Sequence, residues 1–106
     1  MIEELTEDNF IEKIIDSSKP SVIDFWAPWC KPCQPVAKIL DKLSHEYDGR
    51  INFYKVDIVK NAKLASELQI QSIPFIILYK DENHIDSHVG TAKEERLREK
   101  IDALLG

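Results

Sequence analysis

The residues predict an α/β domain in which a mixed sheet is covered by helices on both faces. Three observations carry this. Early in the chain, short β-branched and aromatic runs alternate with apolar stripes at helical spacing, which implies parallel strands joined by right-handed crossovers. Later, two β-type runs, Phe75–Tyr79 and Ile85–Val89, are separated only by a polar turn, so they form an antiparallel hairpin. Finally, 106 residues with 43% apolar content supply one ordinary core, and no repeat or low-complexity segment divides them. Residues 1–106 therefore read as a single domain.

In order along the chain, a helix is expected from about Glu7 to Asp16, with Thr6 as its cap and Phe10, Ile11, Ile14 and Ile15 as one apolar stripe. Ser21–Trp26 is a strand buried on both faces, rich in β-branched and aromatic residues, with Asp24 inside it. The next helix carries the two cysteines of the chain, and Val36, Ile39, Leu40 and Leu43 follow i, i+3, i+4 and i+7, the spacing of a core stripe. Ile51 to Asp57 is a strand, followed by a short helix through Leu64 and Leu68. Pro74 cannot donate to a sheet ladder but is tolerable at the first position of a strand. A cis bond before it is open, at the frequency of about 5–6% of X–Pro bonds. After the hairpin, Thr91 or Ala92 to Leu105 closes the chain as an amphipathic helix.

The most informative segment is Cys30-Lys31-Pro32-Cys33, preceded by Trp26-Ala27-Pro28-Trp29. Residues i and i+3 on a helix face the same way, about 5–6 Å apart at Cβ, so a reversible disulfide fits between the two cysteines. At a helix N-terminus, unpaired N–H groups and the dipole favour the thiolate of Cys30 and make it the nucleophile. Cys33, one turn further in and more buried, is placed to attack a mixed disulfide formed at Cys30. Zinc competes with this reading, because His84 and His88 complete C-x2-C…H-x3-H. However, the 50 residues from Gln34 to Asn83 stand where a finger has about 12–15. A purely structural disulfide gains least when its closed loop is this short. Asp24 either caps the strand end harmlessly or is buried near the cysteines with a raised pKa, passing protons to and from Cys33. Trp26 reads as packing, and Trp29, beside the nucleophile, as part of a docking surface. His45, His84 and His88 read as surface residues.

Fourteen basic against nineteen acidic residues leave a net charge of −5. That balance argues against nucleic acid or an anionic membrane as partner. The acidic N-terminus lacks an apolar signal segment, and no stretch approaches membrane-spanning length, so a cytoplasmic location is expected. A C-x-x-C pair in that reducing compartment points to catalysis over structure.

The set W-x-x-x-C-x-P-C after a strand aspartate, with Ile73-Pro74 before a later strand and Val89-Gly90 near the end, resembles the thioredoxin family over essentially the whole chain. The resemblance implies a mixed, mostly parallel five-stranded central sheet with its last hairpin antiparallel and the Asp24 strand at or near the middle. It also implies a protein dithiol–disulfide oxidoreductase, with Cys30 attacking, Cys33 resolving, Asp24 as the buried acid and Lys55 as its neighbouring cation. Trp29, Lys31, Pro32, Ile58, Ile73, cis-Pro74, Val89 and Gly90 would form the substrate-docking surface. Implied partners are disulfide-containing protein substrates and a thioredoxin reductase, acting on a monomer that needs no cofactor and no metal. An oxidase or isomerase is the alternative within this chemistry, though such members usually carry a histidine between the cysteines. A redox-insensitive binding module using the Trp29/Pro74 surface is the alternative outside it.

The chain departs from the family pattern at several positions. Lys31 stands where glycine is usual, and Lys38 where a mid-helix proline is usual. Pro35, two residues after Cys33, is expected to crowd the Lys31 carbonyl and move any kink towards the active site. The turn Lys80-Asp81-Glu82-Asn83 lacks glycine, which leaves Asn83 as the expected positive-φ residue.

Overall fold

Alternation of side chains along apolar strands gives the sheet two buried faces, and the helices divide between them. The structure is a computed structural model that describes residues 2–106. In chain order its elements are β1 (Glu3–Glu4), a π-helical turn (Ile11–Ile15), β2 (Ser21–Trp26), α1 (Cys33–Glu46) and β3 (Asn52–Asp57). They continue with α2 (Ala62–Glu67), β4 (Phe75–Lys80), β5 (Asn83–Val89) and α3 (Glu94–Leu105). The sheet order is β1-β3-β2-β4-β5, so the strand carrying Asp24 is central. Parallel pairing joins β1, β3 and β2, while β4 pairs antiparallel with both β2 and β5. Four strands thus share one direction and β4 runs against them.

On one face Val22, Phe53, Ile76 and Leu78 pack with Val36, Leu40 and Leu43 of α1 and Leu97, Ile101 and Leu104 of α3. On the other, Ile23, Phe25, Val56 and Ile77 pack with Phe10, Ile14 and Leu64. The expected stripes of the cysteine-bearing helix and the last helix therefore face the sheet as their spacing requires. β1 is a two-residue, exposed Glu-Glu pair with no apolar signal, so nothing in its sequence marks it as a strand.

Three local expectations are corrected. The first helix is shorter than Glu7–Asp16 and wound more widely, with the Asp16 N–H donating to the Ile11 carbonyl at 3.1 Å. That winding buries Ile14 and leaves Ile11 exposed. Thr6 does not cap it: Phe10 holds the cap position without a side-chain cap hydrogen bond, and the Thr6 N–H donates to the Asn9 side-chain oxygen at 2.8 Å in the turn before the helix. Next, α1 starts at Cys33, so Pro35 lies in its first turn, where an N–H has no intrahelical acceptor and proline costs nothing. The Lys31 carbonyl accepts from the Gln34 N–H at 3.1 Å, and no kink is needed. Finally, Asp81 and Glu82 hold the positive φ values, 53° and 68°, and Asn83 does not. Lys80 pairs with Asn83, leaving a two-residue connection, whose two central residues both turn left-handed to match the strand twist.

Candidate active site

β2, β3 and β5 end, and β4 begins, at one edge of the sheet, where Trp26 pairs with Asp57 and Phe75 with Val89. The chain leaving β2 turns at once, with the Cys30 N–H donating to the Ala27 carbonyl at 3.1 Å. The Cys33 N–H donates to the Cys30 carbonyl at 3.3 Å. This brings Cys30 and Cys33 to a Cα separation of 5.4 Å, and they are joined by a disulfide. Cys30 therefore sits one turn ahead of α1 and Cys33 is its first residue.

Burial separates the two cysteines only slightly, in the expected direction: Cys30 is 5% and Cys33 3% exposed. Both are covered by the same cluster, Ala27 with the half-buried Trp26, Ile58 and Ile73. Trp29 and Lys31 on either side of Cys30 are exposed, Trp29 at 69%, and so is Pro32.

The remaining docking candidates gather at the same edge. Ile58 follows β3, and its N–H donates to the Trp26 carbonyl at 3.0 Å. The Ile73–Pro74 peptide is cis. The Pro74 carbonyl accepts from the Gly90 N–H at 2.8 Å, so the end of the hairpin is tied beside the cysteines. Val89 is exposed. Gly90 has φ +86° with open space where a Cβ would stand, so its backbone conformation, not crowding, calls for glycine.

Beneath the disulfide, Asp24 is 2% exposed and its Oδ1 has no hydrogen-bond partner among the described residues. Burial pushes its carboxyl from the ordinary 3.8 up to about 7, against the pull of the Lys55 cation paired across from it on β3. Asp24 and Lys55 line a cavity of about 210 Å³ together with Cys30, Cys33, Trp26 and Gln34. They also border a second cavity of about 330 Å³, with Lys38 and Asp41. Asp24 is thus no strand-end cap but a buried acid sharing a cavity with the cysteines.

Trp26, expected to pack, also lines this cavity, with an indole N–H that has no partner among the described residues and the Lys55 ammonium 5.8 Å from its ring centroid. The signal was present in the sequence: Trp26 is two residues after Asp24 in a strand, hence on the same face. Gln34 carried no such signal. Of the histidines, His84 lies against Tyr79 and His88 Nε2 is 3.1 Å from the Thr91 carbonyl. Among the described residues no group of three or more His, Cys, Asp and Glu could hold a metal ion.

The thioredoxin family model matches residues 1–103. The chain belongs to the thioredoxin family. It is 34% identical over 99 residues to thioredoxin 1 of Nostoc sp., covering 93% of this chain and 92% of that one. With the thioredoxin of Staphylococcus saprophyticus it shares 38% identity over 101 residues, 95% of each chain. It is 35% identical over 101 residues to the chloroplastic M-type thioredoxin of Pisum sativum, covering 95% of this chain and 59% of that one. As a thioredoxin-family member with its cysteines at disulfide distance, the protein is a dithiol–disulfide oxidoreductase. Among the described residues no helix is long and apolar enough to cross a membrane.

Proposed function

We propose that the protein, as one domain over residues 1–106, reduces disulfides in other proteins. The Cys30 thiolate attacks one sulfur of the substrate disulfide, forming a mixed disulfide and releasing the other sulfur as a thiolate that takes up a proton. Cys33 then loses its proton and attacks Cys30 Sγ, which expels the second substrate thiolate and leaves the Cys30–Cys33 disulfide. The substrate gains the two electrons that the dithiol gives up.

The observation that supports this most is the Asp24 carboxyl, with Oδ1 unpartnered, in the cavity that Cys33 also lines. A carboxylate whose pKa lies near 7 takes and returns a proton at neutral pH. We assign Asp24 to the proton of Cys33 and Lys55 to limiting the rise that burial causes. Trp29, Lys31, Pro32, Ile58, Ile73, Pro74, Val89 and Gly90 form the surface on which an extended substrate segment rests. An external thioredoxin reductase returns the disulfide to the dithiol, and the protein acts as a cytoplasmic monomer.

Trapping tests the roles of the two thiols. Reacted with a disulfide-linked two-chain protein, Cys33→Ser should accumulate a mixed disulfide through Cys30, and Cys30→Ser should neither trap nor turn over. A Cys30→Ser protein that still reduces the substrate overturns the assignment. Turnover driven by NADPH or reduced ferredoxin through the matching reductase tests regeneration, and sedimentation tests the monomer.

A further inference from the structure

The loops that meet at the disulfide edge are residues 27–32, 58–61, 69–74 and 90–93. They contain three charged residues, Lys31, Lys60 and Lys93, and no Asp or Glu, although the whole chain carries −5. All three lysines are exposed, and among the described residues none enters an ion pair. Contacts around the disulfide fix their places. Lys31 lies between the cysteines; Lys60 is two residues beyond Ile58, which packs on them; Lys93 is three residues beyond Gly90, which is bonded to Pro74.

The acidic residues adjoining these loops do little to offset the lysines. Asp57 is buried, and its Oδ1 accepts the N–H groups of Val59 and Lys60 at 2.9 and 3.3 Å. Glu94 is held by Lys42 and Arg98. Glu67 and Glu95, each two residues outside its loop, are the exposed acidic side chains in no ion pair among the described residues, two against three. Inside the lysine rim the surface is apolar, with Trp29 69%, Val59 57% and Val89 57% exposed. An apolar centre within a charged rim is the anatomy of a protein-docking surface.

We propose that this thioredoxin-family protein selects substrate segments in which acidic residues flank the target disulfide, the lysine rim choosing among them. The proposal rests on the reading that the protein reduces protein disulfides, and it names the class of substrate. Physiological salt screens charges beyond about 8 Å, so the local lysines outweigh the distant negative surface for a segment already near the site. Complementary charge of this kind acts on the encounter rate.

The test uses three synthetic peptides with the same disulfide loop, flanked by glutamates, glutamines or lysines, and matched in reduction potential. Each is reduced in a single turnover by the prereduced full-length protein. At 0.15 M salt the order should be glutamate, glutamine, lysine, with the first faster than the last by roughly three- to tenfold, and in 1 M salt the spread should collapse. The double variant Lys60→Gln/Lys93→Gln should bring the glutamate-to-lysine ratio towards one, and Lys60→Arg/Lys93→Arg should keep it. Equal rates for the three peptides at 0.15 M, or a ratio untouched by the glutamine variant, overturn the proposal while leaving the reductase reading intact. Failure to reduce any of them overturns the reductase reading itself.

Discussion

Asp24 concentrates the energetics of the site in one side chain. Its folded-state carboxyl keeps a proton to about 7, whereas the ordinary value is 3.8, so between these limits the folded protein binds the proton and the unfolded chain does not. The contribution of Asp24 to the stability of the disulfide form should therefore be largest below the ordinary value, fall by up to about 1.4 kcal/mol per pH unit as pH rises towards 7, and level off above it. Asp24→Asn should abolish that slope and be more stable by a few kcal/mol at pH 8, because an amide with an unpaired oxygen costs far less than a buried, unpaired ion. Denaturant titrations of both proteins from pH 4 to 8 measure this. A slope surviving in the Asn variant would remove Asp24 as its source. The same variant should slow resolution of the mixed disulfide more than attack by Cys30, as single-turnover kinetics would show.

Lys31 acts at the same scale with a smaller effect. An exposed charge beside Cys30 favours the reduced, thiolate form by about 0.2–1 kcal/mol, which for a two-electron couple is roughly 5–20 mV. Lys31→Gln should make the potential more negative by that amount in a glutathione equilibrium, with the difference shrinking at high salt. A less negative potential would reverse the argument.

The β4–β5 hairpin shows what a single element can hide. Its turn places two residues with side chains, Asp81 and Glu82, at positive φ, where a Cβ is crowded by the following carbonyl. With no glycine to mark the position, residue type favoured Asn83, whose amide instead donates to the Asp81 carbonyl at 2.8 Å. Asp81→Asn with Glu82→Gly should stabilise the protein by about 1 kcal/mol, the relief of left-handed strain less the added freedom of glycine when unfolded. Equilibrium unfolding measures it, and a loss of stability would show that the acidic side chains contribute something the backbone does not reveal. α1 is the opposite case. Its stripe Val36, Leu40 and Leu43 was legible because helical spacing is a local rule, whereas its first residue depended on how the cysteine turn leaves β2.

Across the whole molecule, α1 and α3 cover one face of the sheet, and Ile101, 1% exposed, packs in that layer away from the cysteines. Ile101→Ala should cost about 2–5 kcal/mol from lost burial and the cavity left behind. Because it lies outside the cluster around the disulfide, single-turnover reduction by the folded protein at 25 °C should be unchanged. An altered rate would show that α3 packing is transmitted to the active-site turn.

The strands Ser21–Trp26 and Phe75–Tyr79, the late hairpin, the helix stripes and the Cys30/Cys33 pair were all readable in the chain, because each is a pattern of neighbours within about one or two helical turns or strand steps. Two-residue β1 and the π winding near Ile11 were not, since neither leaves a periodic apolar signature. The state of Asp24 was left open by its residues and decided by the fold: its dielectric surroundings come from α1 above it and its counter-charge from Lys55 on another strand. Lys31, Lys60 and Lys93 are likewise three solvated lysines when read along the chain. Only the meeting of four loops at one sheet edge makes them a rim, because Coulomb interaction depends on separation in space, which the tertiary structure sets.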